Sequence, residues 1–171
     1  MVSAAHEGTE QVFSKIKEIL RERPQAVIYD LGCGRGFWGK QIKLRFQSVK
    51  LIGVEVWEPY IGEARSGYDE IILDDIRNFL PSAEKADIIL MMDVIEHFER
   101  SEGLRLIDLS KKKADHVFIS TPIVPYPQGP IDGNPYEIHR DSWKPEELEA
   151  LGFEPLCLGK VVGVFYWGRS S

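Results

Sequence analysis

The chain has 171 residues, 43% of them hydrophobic, and a formal net charge of -6. That length suits a single domain, taken as residues 1–171, with a core of ordinary hydrophobic content. The negative balance provides no global basic field, which speaks against a nucleic-acid partner.

Residues 1–7 show no charged-then-apolar signal pattern. Val12, Ile16, Ile19 and Leu20 share one face of a helix over 9–23, which Pro24 stops. A strand over 26–30 runs into Gly32, Gly34 and Gly36, and a helix follows over 37–46. A second strand covers 50–55, a short helix 59–65, and a third strand 70–73 ends in Asp74 and Asp75. The fourth strand, 86–92, contains the most apolar run, which is far too short to cross a bilayer. A helix over 104–112 ends in Lys111, Lys112 and Lys113, read as a solvated helix end, and a fifth strand covers 116–120. Residues 121–142 are rich in Pro and Gly, carry no period and predict a long loop. A helix over 145–151 precedes strands at 153–158 and 161–167, separated by Gly159 and Lys160, a hairpin signal. Alternating strands and helices predict an α/β fold: a mostly parallel sheet, helices on both faces, and an antiparallel C-terminal hairpin strand. Cys33 and Cys157, the two cysteines, have no neighbour at metal spacing and form no disulfide framework, which suits reduced thiols in a cytoplasmic protein.

The densest chemistry lies at the first strand's end. Three alternate glycines there let backbone approach a ligand closely, as in nucleotide sites. Asp30 selects among nucleotides. It would repel a dinucleotide's pyrophosphate, whereas S-adenosylmethionine (SAM) carries an ammonium and a sulfonium. The spacing G-x-G-x-G also differs from the G-x-G-x-x-G of the NAD fingerprint, which opposes a NAD-dependent reductase. Glu55, about twenty residues on at the end of the second strand, suits both ribose hydroxyls. Asp75 suits the adenine amine and the Ile76 amide a ring nitrogen; Asp74 competes for the Asp75 role, and a helix N-cap is the plainer reading. The fourth strand delivers Asp93, Glu96 and His97 to its C-terminal end, where open α/β sheets bind ligands. On the long loop, Tyr126, Gln128, Asp132, Asn134, Tyr136, His139 and Trp143 suit a mobile substrate lid, with Asn134-Pro135-Tyr136 read as a turn.

Taken in order and spacing, DLGCGRG, GVE, DDI, DVIEHF and ISTP resemble the class I SAM-dependent methyltransferases. The resemblance implies a Rossmann-like, seven-stranded sheet with an antiparallel last strand, SAM as cofactor, and Asp93 lining the SAM pocket. DVIEHF is similar to the segment in ubiquinone-type small-molecule O-methyltransferases. The stretch from Ser120 to Trp143 resembles small methyltransferases found with polysaccharide-biosynthesis enzymes. The expected activity is methyl transfer to a small-molecule acceptor, a hydroxyl first and an amine second, with His97 and His139 as candidate bases. Some O-methyltransferases, including those acting on RNA 3′ ends, carry E-x-x-E-H and a later histidine as a divalent metal site. The counterparts here are Asp93, Glu96, His97 and His139, with Asp93 shorter than Glu by one methylene. The expectation is a metal-free site. The alternatives are a Mg²⁺- or Mn²⁺-dependent O-methyltransferase of a sugar or RNA 3′ end, or a non-catalytic SAM-binding regulatory subunit. No feature suggests a membrane partner, and none sets the oligomeric state.

Overall fold

The computed structural model describes residues 8–170, so the opening stretch 1–7 lies outside it. Seven strands form one sheet in the order β3-β2-β1-β4-β5-β7-β6. They are β1 (Val27–Leu31), β2 (Lys50–Glu55), β3 (Glu70–Leu73), β4 (Ala86–Met92), β5 (Ala114–Pro122), β6 (Glu154–Leu158) and β7 (Val162–Gly168). The first five are mutually parallel, whereas β7 runs antiparallel to both β5 and β6.

The helices are α1 (Thr9–Glu22), α2 (Phe37–Arg45), α3 (Glu58–Ala64), α4 (Ile76–Ser82), α5 (Arg100–Lys113) and α6 (Pro145–Ala150). Alternation along the strands divides the core in two. Leu31, Ile89 and Met91 face a cluster with Leu80 of α4, Leu106 of α5 and Leu148 of α6. Ile28, Ile88 and Leu90 face the other cluster, with Ile16 of α1, Ile42 of α2 and Ala64 of α3. Strands buried on both faces read as continuous apolar runs, which is why β1 and β4 were evident in the sequence. Among the described residues, no helix is long and apolar enough to cross a membrane.

The main departures from expectation are one missing helix and two shifted boundaries, the other elements agreeing to within one or two residues. The helix α4 is absent from the sequence reading, because seven residues with an internal Pro81 carry no clear helical period. The α5 helix starts at Arg100 rather than 104, its first turn being polar. The β5 strand runs on to Pro122, since antiparallel pairing with β7 extends to Pro122↔Val162. The sequence order reverses between β1 and β4, so the crevice at their carboxyl ends is the topological place for a ligand.

Candidate active site

A cavity of about 360 Å³ opens at that crevice, within the roughly 300–1,000 Å³ of small-molecule sites. Its floor is the turn after β1. The Gly32 and Cys33 amides donate to Val54 O (2.8 and 3.0 Å), which ties the turn to β2. Gly32, Gly34 and Gly36 all have left-handed backbones. They do different work. Gly34 lines the cavity, and a Cβ there would meet no protein atom within 4 Å. A Cβ on Gly36, which does not line the cavity, would come within 2.7 Å of Ala64 Cα. Gly36 therefore lets α2 pack against α3 rather than touching a ligand. Gly32 combines both roles: it lines the cavity, and its Cβ would press on Val94 at 2.9 Å.

Glu55 sits where expected. Its Oε2 accepts from the Gly34 amide (2.8 Å) and its Oε1 from the Trp57 amide (2.7 Å). Burial raises its pKa against the pull of these amides. The carboxylate is thus held rigidly at the cavity wall, with lone pairs left for a diol.

Asp30, expected among the cofactor-binding residues, lies beneath the glycine turn rather than at the cavity wall. It is 1% exposed, does not line the cavity, and accepts the Tyr68 hydroxyl at 2.5 Å. Burial raises its pKa to about 7. Asp75 lines the cavity, as expected of an adenine-site residue, but its carboxylate is already engaged. It caps α4 by accepting from the Arg77 amide (2.8 Å), and both its oxygens take the Arg77 guanidinium. Burial works to raise its pKa, but the bonds from Arg77 win and hold it low. The plainer cap reading therefore holds for its carboxylate, while Asp74 and Ile76 line the cavity beside it.

Asp93 lines the far wall in a left-handed backbone (φ 57°), a strained conformation for a non-glycine residue. Ser120 fixes it. The Ser120 hydroxyl donates to Asp93 Oδ1 and accepts from the Asp93 amide, both at 2.9 Å. A single 3₁₀ turn, Ile95–His97, then presents Glu96 and His97. Glu96 is 1% exposed; Thr121 donates to its Oε2 at 3.1 Å. Its Oε1 is the one buried side-chain polar atom, among the described residues, that has no hydrogen-bond partner. Burial, then the neighbouring Asp93, pushes the Glu96 pKa well above the carboxylate range.

The segment after β5 brings His139 to this turn, and the two imidazole centroids lie 5.0 Å apart. His97 Nδ1 donates to Ile138 O (3.3 Å) and His139 Nδ1 to Tyr126 O (2.6 Å). A carbonyl only accepts, so each Nδ1 carries the proton and each neutral ring keeps its lone pair on Nε2. One ligand atom from each of Glu96, His97 and His139 falls within 4.8 Å of the others. Two oriented imidazoles clustered with a buried glutamate, one of whose oxygens has no partner among the described residues, form a fitting donor set for a divalent cation. This departs from the metal-free expectation. Burial lowers the His97 pKa to about 4, so His97 is a weak base at neutral pH, against its reading as a general base.

The expected lid is better described as a strap pinned at both ends. The Arg140 and Asp141 amides donate to Glu96 O (2.8 and 3.2 Å). Trp143, expected on the lid, is instead a core plug at 1% exposure, with its indole directed to Ile95 O. Asn134 caps the 3₁₀ turn Pro135–Glu137, as the turn reading anticipated. Asp132 reaches back to Arg35 in the glycine turn (2.7 Å), and Arg35 also pairs with Glu63 and lies over the Tyr60 ring. Tyr126 and Gln128 sit at the base of the strap, bonding through Tyr126 O and the Gln128 amide, while Tyr136 lines the cavity. Ser120, Thr121, Tyr68 and Arg35 were missed as supporting residues. ISTP placed the first two at a strand end, but only the fold shows what they hold.

A family described as "Methyltransferase domain" matches residues 28–117. No curated protein matches the chain. Among solved structures, the small RNA methyltransferase HEN1 aligns with a TM-score of 0.69 at 15% identity, over 95% of this chain and 26% of that one. A SAM-dependent methyltransferase from Archaeoglobus fulgidus aligns with a TM-score of 0.60 at 21% identity, over 85% and 69%. The plantazolicin methyltransferase BpumL, solved with S-adenosylhomocysteine (SAH), aligns with a TM-score of 0.68 at 15% identity, over 94% and 82%. The chain thus spans about a quarter of the length of HEN1.

Proposed function

The chain belongs to the SAM-dependent methyltransferase family, and on that premise we propose that it methylates a hydroxyl oxygen of its acceptor. The oxygen attacks the methyl carbon, the carbon–sulfur bond breaks, and sulfur keeps the electron pair as SAH forms. The hydroxyl proton must pass to a base, either water or the His139 imidazole, and this is the one step that needs help beyond alignment and exclusion of water. What favours a hydroxyl over an amine is Glu96, whose Oε1 has no partner among the described residues, clustered with two histidines that are each fixed through Nδ1.

Glu96, His97 and His139 would hold Mg²⁺ or Mn²⁺, which acidifies a hydroxyl in its coordination sphere. The chain's own residues set the rest. Ser120 holds Asp93 and Thr121 holds Glu96, so both carboxylates keep one orientation. The strap brings His139 in and covers the cavity with Tyr136 and Glu137. Glu55 and the open face at Gly34 bound the donor's ribose end. A small-molecule acceptor is preferred to RNA, because acidic residues outnumber basic ones along the cavity wall and the chain is acidic. The second reading keeps His139 as a metal-free base, because its Nε2 is free and its ring is oriented.

The experiment is SAH release from SAM over a panel of hydroxyl and amine compounds, before and after EDTA. The proposal expects turnover with a hydroxyl compound, loss on chelation and recovery with Mg²⁺ or Mn²⁺. Undiminished turnover in EDTA leaves the histidine base standing and removes the cation. Turnover with amines alone removes the hydroxyl assignment.

A further inference from the structure

Arg140 is exposed, follows His139 directly and lines the cavity. Its amide is fixed on Glu96 O at 2.8 Å, so its side chain starts beside the cluster. Neighbouring arginines are all engaged. Arg77 pairs with Asp75 and Glu102, Arg35 with Glu63 and Asp132, and Arg100 with Asp141 and Glu147. The Arg140 guanidinium alone among them makes no ion pair, side-chain hydrogen bond or ring contact with the described residues. It stays unpaired although Glu99, Glu102 and Glu137 line the same cavity. An acidic cavity repels anionic ligands, and a free guanidinium offsets that repulsion at one place with a planar two-donor fork.

We propose that Arg140 anchors an anionic oxygen group, carboxylate or phosphate, of a ligand held beside the Glu96–His97–His139 cluster. The inference rests on the reading of this cavity as the methyl-transfer site. The group has two chemical sources: the carboxylate of the donor's amino-acid tail, or an anion carried by the acceptor. Either gives Arg140 a role in selecting anionic ligands, which Arg77, the other arginine lining this cavity, is not free to play.

The test compares wild-type protein with Arg140→Gln and Arg140→Lys in metal-free buffer, so that a cation does not recruit the anions. One arm measures calorimetric affinities for SAH and for 5′-methylthioadenosine, which lacks the amino-acid tail. The other follows NMR titration with inorganic phosphate and with acetate, on SAH-loaded and unloaded protein. If the donor tail is the source, the preference for SAH over 5′-methylthioadenosine falls by about tenfold or more in Arg140→Gln. If the acceptor is the source, that preference is unchanged, but shifts of the cavity residues with phosphate or acetate disappear. Arg140→Lys should keep part of either effect, because it retains the charge and loses the fork. Unchanged affinities and unchanged anion titrations in Arg140→Gln, with an unchanged melting temperature, overturn the proposal. Failure of wild-type protein to bind SAH would instead sink the proposed function, while the titration of unloaded protein still reads Arg140.

Discussion

Replacing Gly34 with Ala separates ligand space from folding. The residue has φ 54°, and its added Cβ would meet no protein atom within 4 Å. The structural cost is therefore only that of an L-residue in the left-handed region, about 1–2 kcal/mol. For a domain of this size that lowers the melting temperature by roughly 2–8 °C. The ligand cost is larger, because the methyl stands in cavity space that the donor's backbone contact requires. Overpacking of about 1–3 kcal/mol weakens SAH binding by roughly five- to 150-fold. Gly36→Ala is the contrast. Its Cβ would meet Ala64 Cα at 2.7 Å, so folding rather than affinity should suffer. Calorimetric titration with SAH, paired with thermal melts of both variants, measures the two effects. SAH affinity within about twofold of wild type in folded Gly34→Ala would mean that the donor does not approach the backbone at Gly34.

Glu55→Gln should weaken SAH binding by about tenfold or more, as a charged acceptor is lost. It should also lower the ligand-free melting temperature, because one of the two amides on Glu55 then faces an NH₂ group; an unmoved melt would contradict that dual role. Asp30→Asn should stabilise the ligand-free protein at pH 8. The Asp30 pKa is raised from 3.8 to about 7, so its favourable contribution is full below 3.8 and is lost as pH rises through about 7. The gain is on the order of 1–4 kcal/mol at pH 8 and vanishes near pH 4, as urea melts at both pH values would show. His139→Ala should slow turnover by more than roughly tenfold and leave SAH affinity largely intact; equal losses of both would mean that the residue serves the cofactor instead.

The sheet was legible because its strands are buried on both faces and end in punctuation: β2, β3 and β4 fall at the expected residues. The glycine turn and Glu55 were legible for the same reason, being backbone requirements written as residue types. What escaped depends on side-chain direction. Asp30 looked like a ligand contact because it adjoins the glycines, yet strand alternation turns it under the turn toward Tyr68, from a helix-end segment 38 residues away. The Asp75 cap was legible as the plainer reading, but its partner Arg77 was not, being hidden in a helix with an internal proline. Trp143 looked like a loop aromatic, but it fills space beside Gly103, where a Cβ would come within 2.7 Å of the indole. The Glu96–His97–His139 cluster was legible as a spacing only. Its force comes from Tyr126 O and Ile138 O, backbone atoms that no side-chain pattern reports.

On the proposed function, SAM and a divalent cation meet at the carboxyl ends of β1 and β4. Anomalous diffraction from crystals grown with SAH and Mn²⁺ tests it most directly. The expected map has SAH along Gly34 and Glu55 and a manganese peak bounded by Glu96, His97 and His139. A map with SAH in that cavity and no manganese at the three residues would contradict the cation, and SAH bound elsewhere would contradict the site itself.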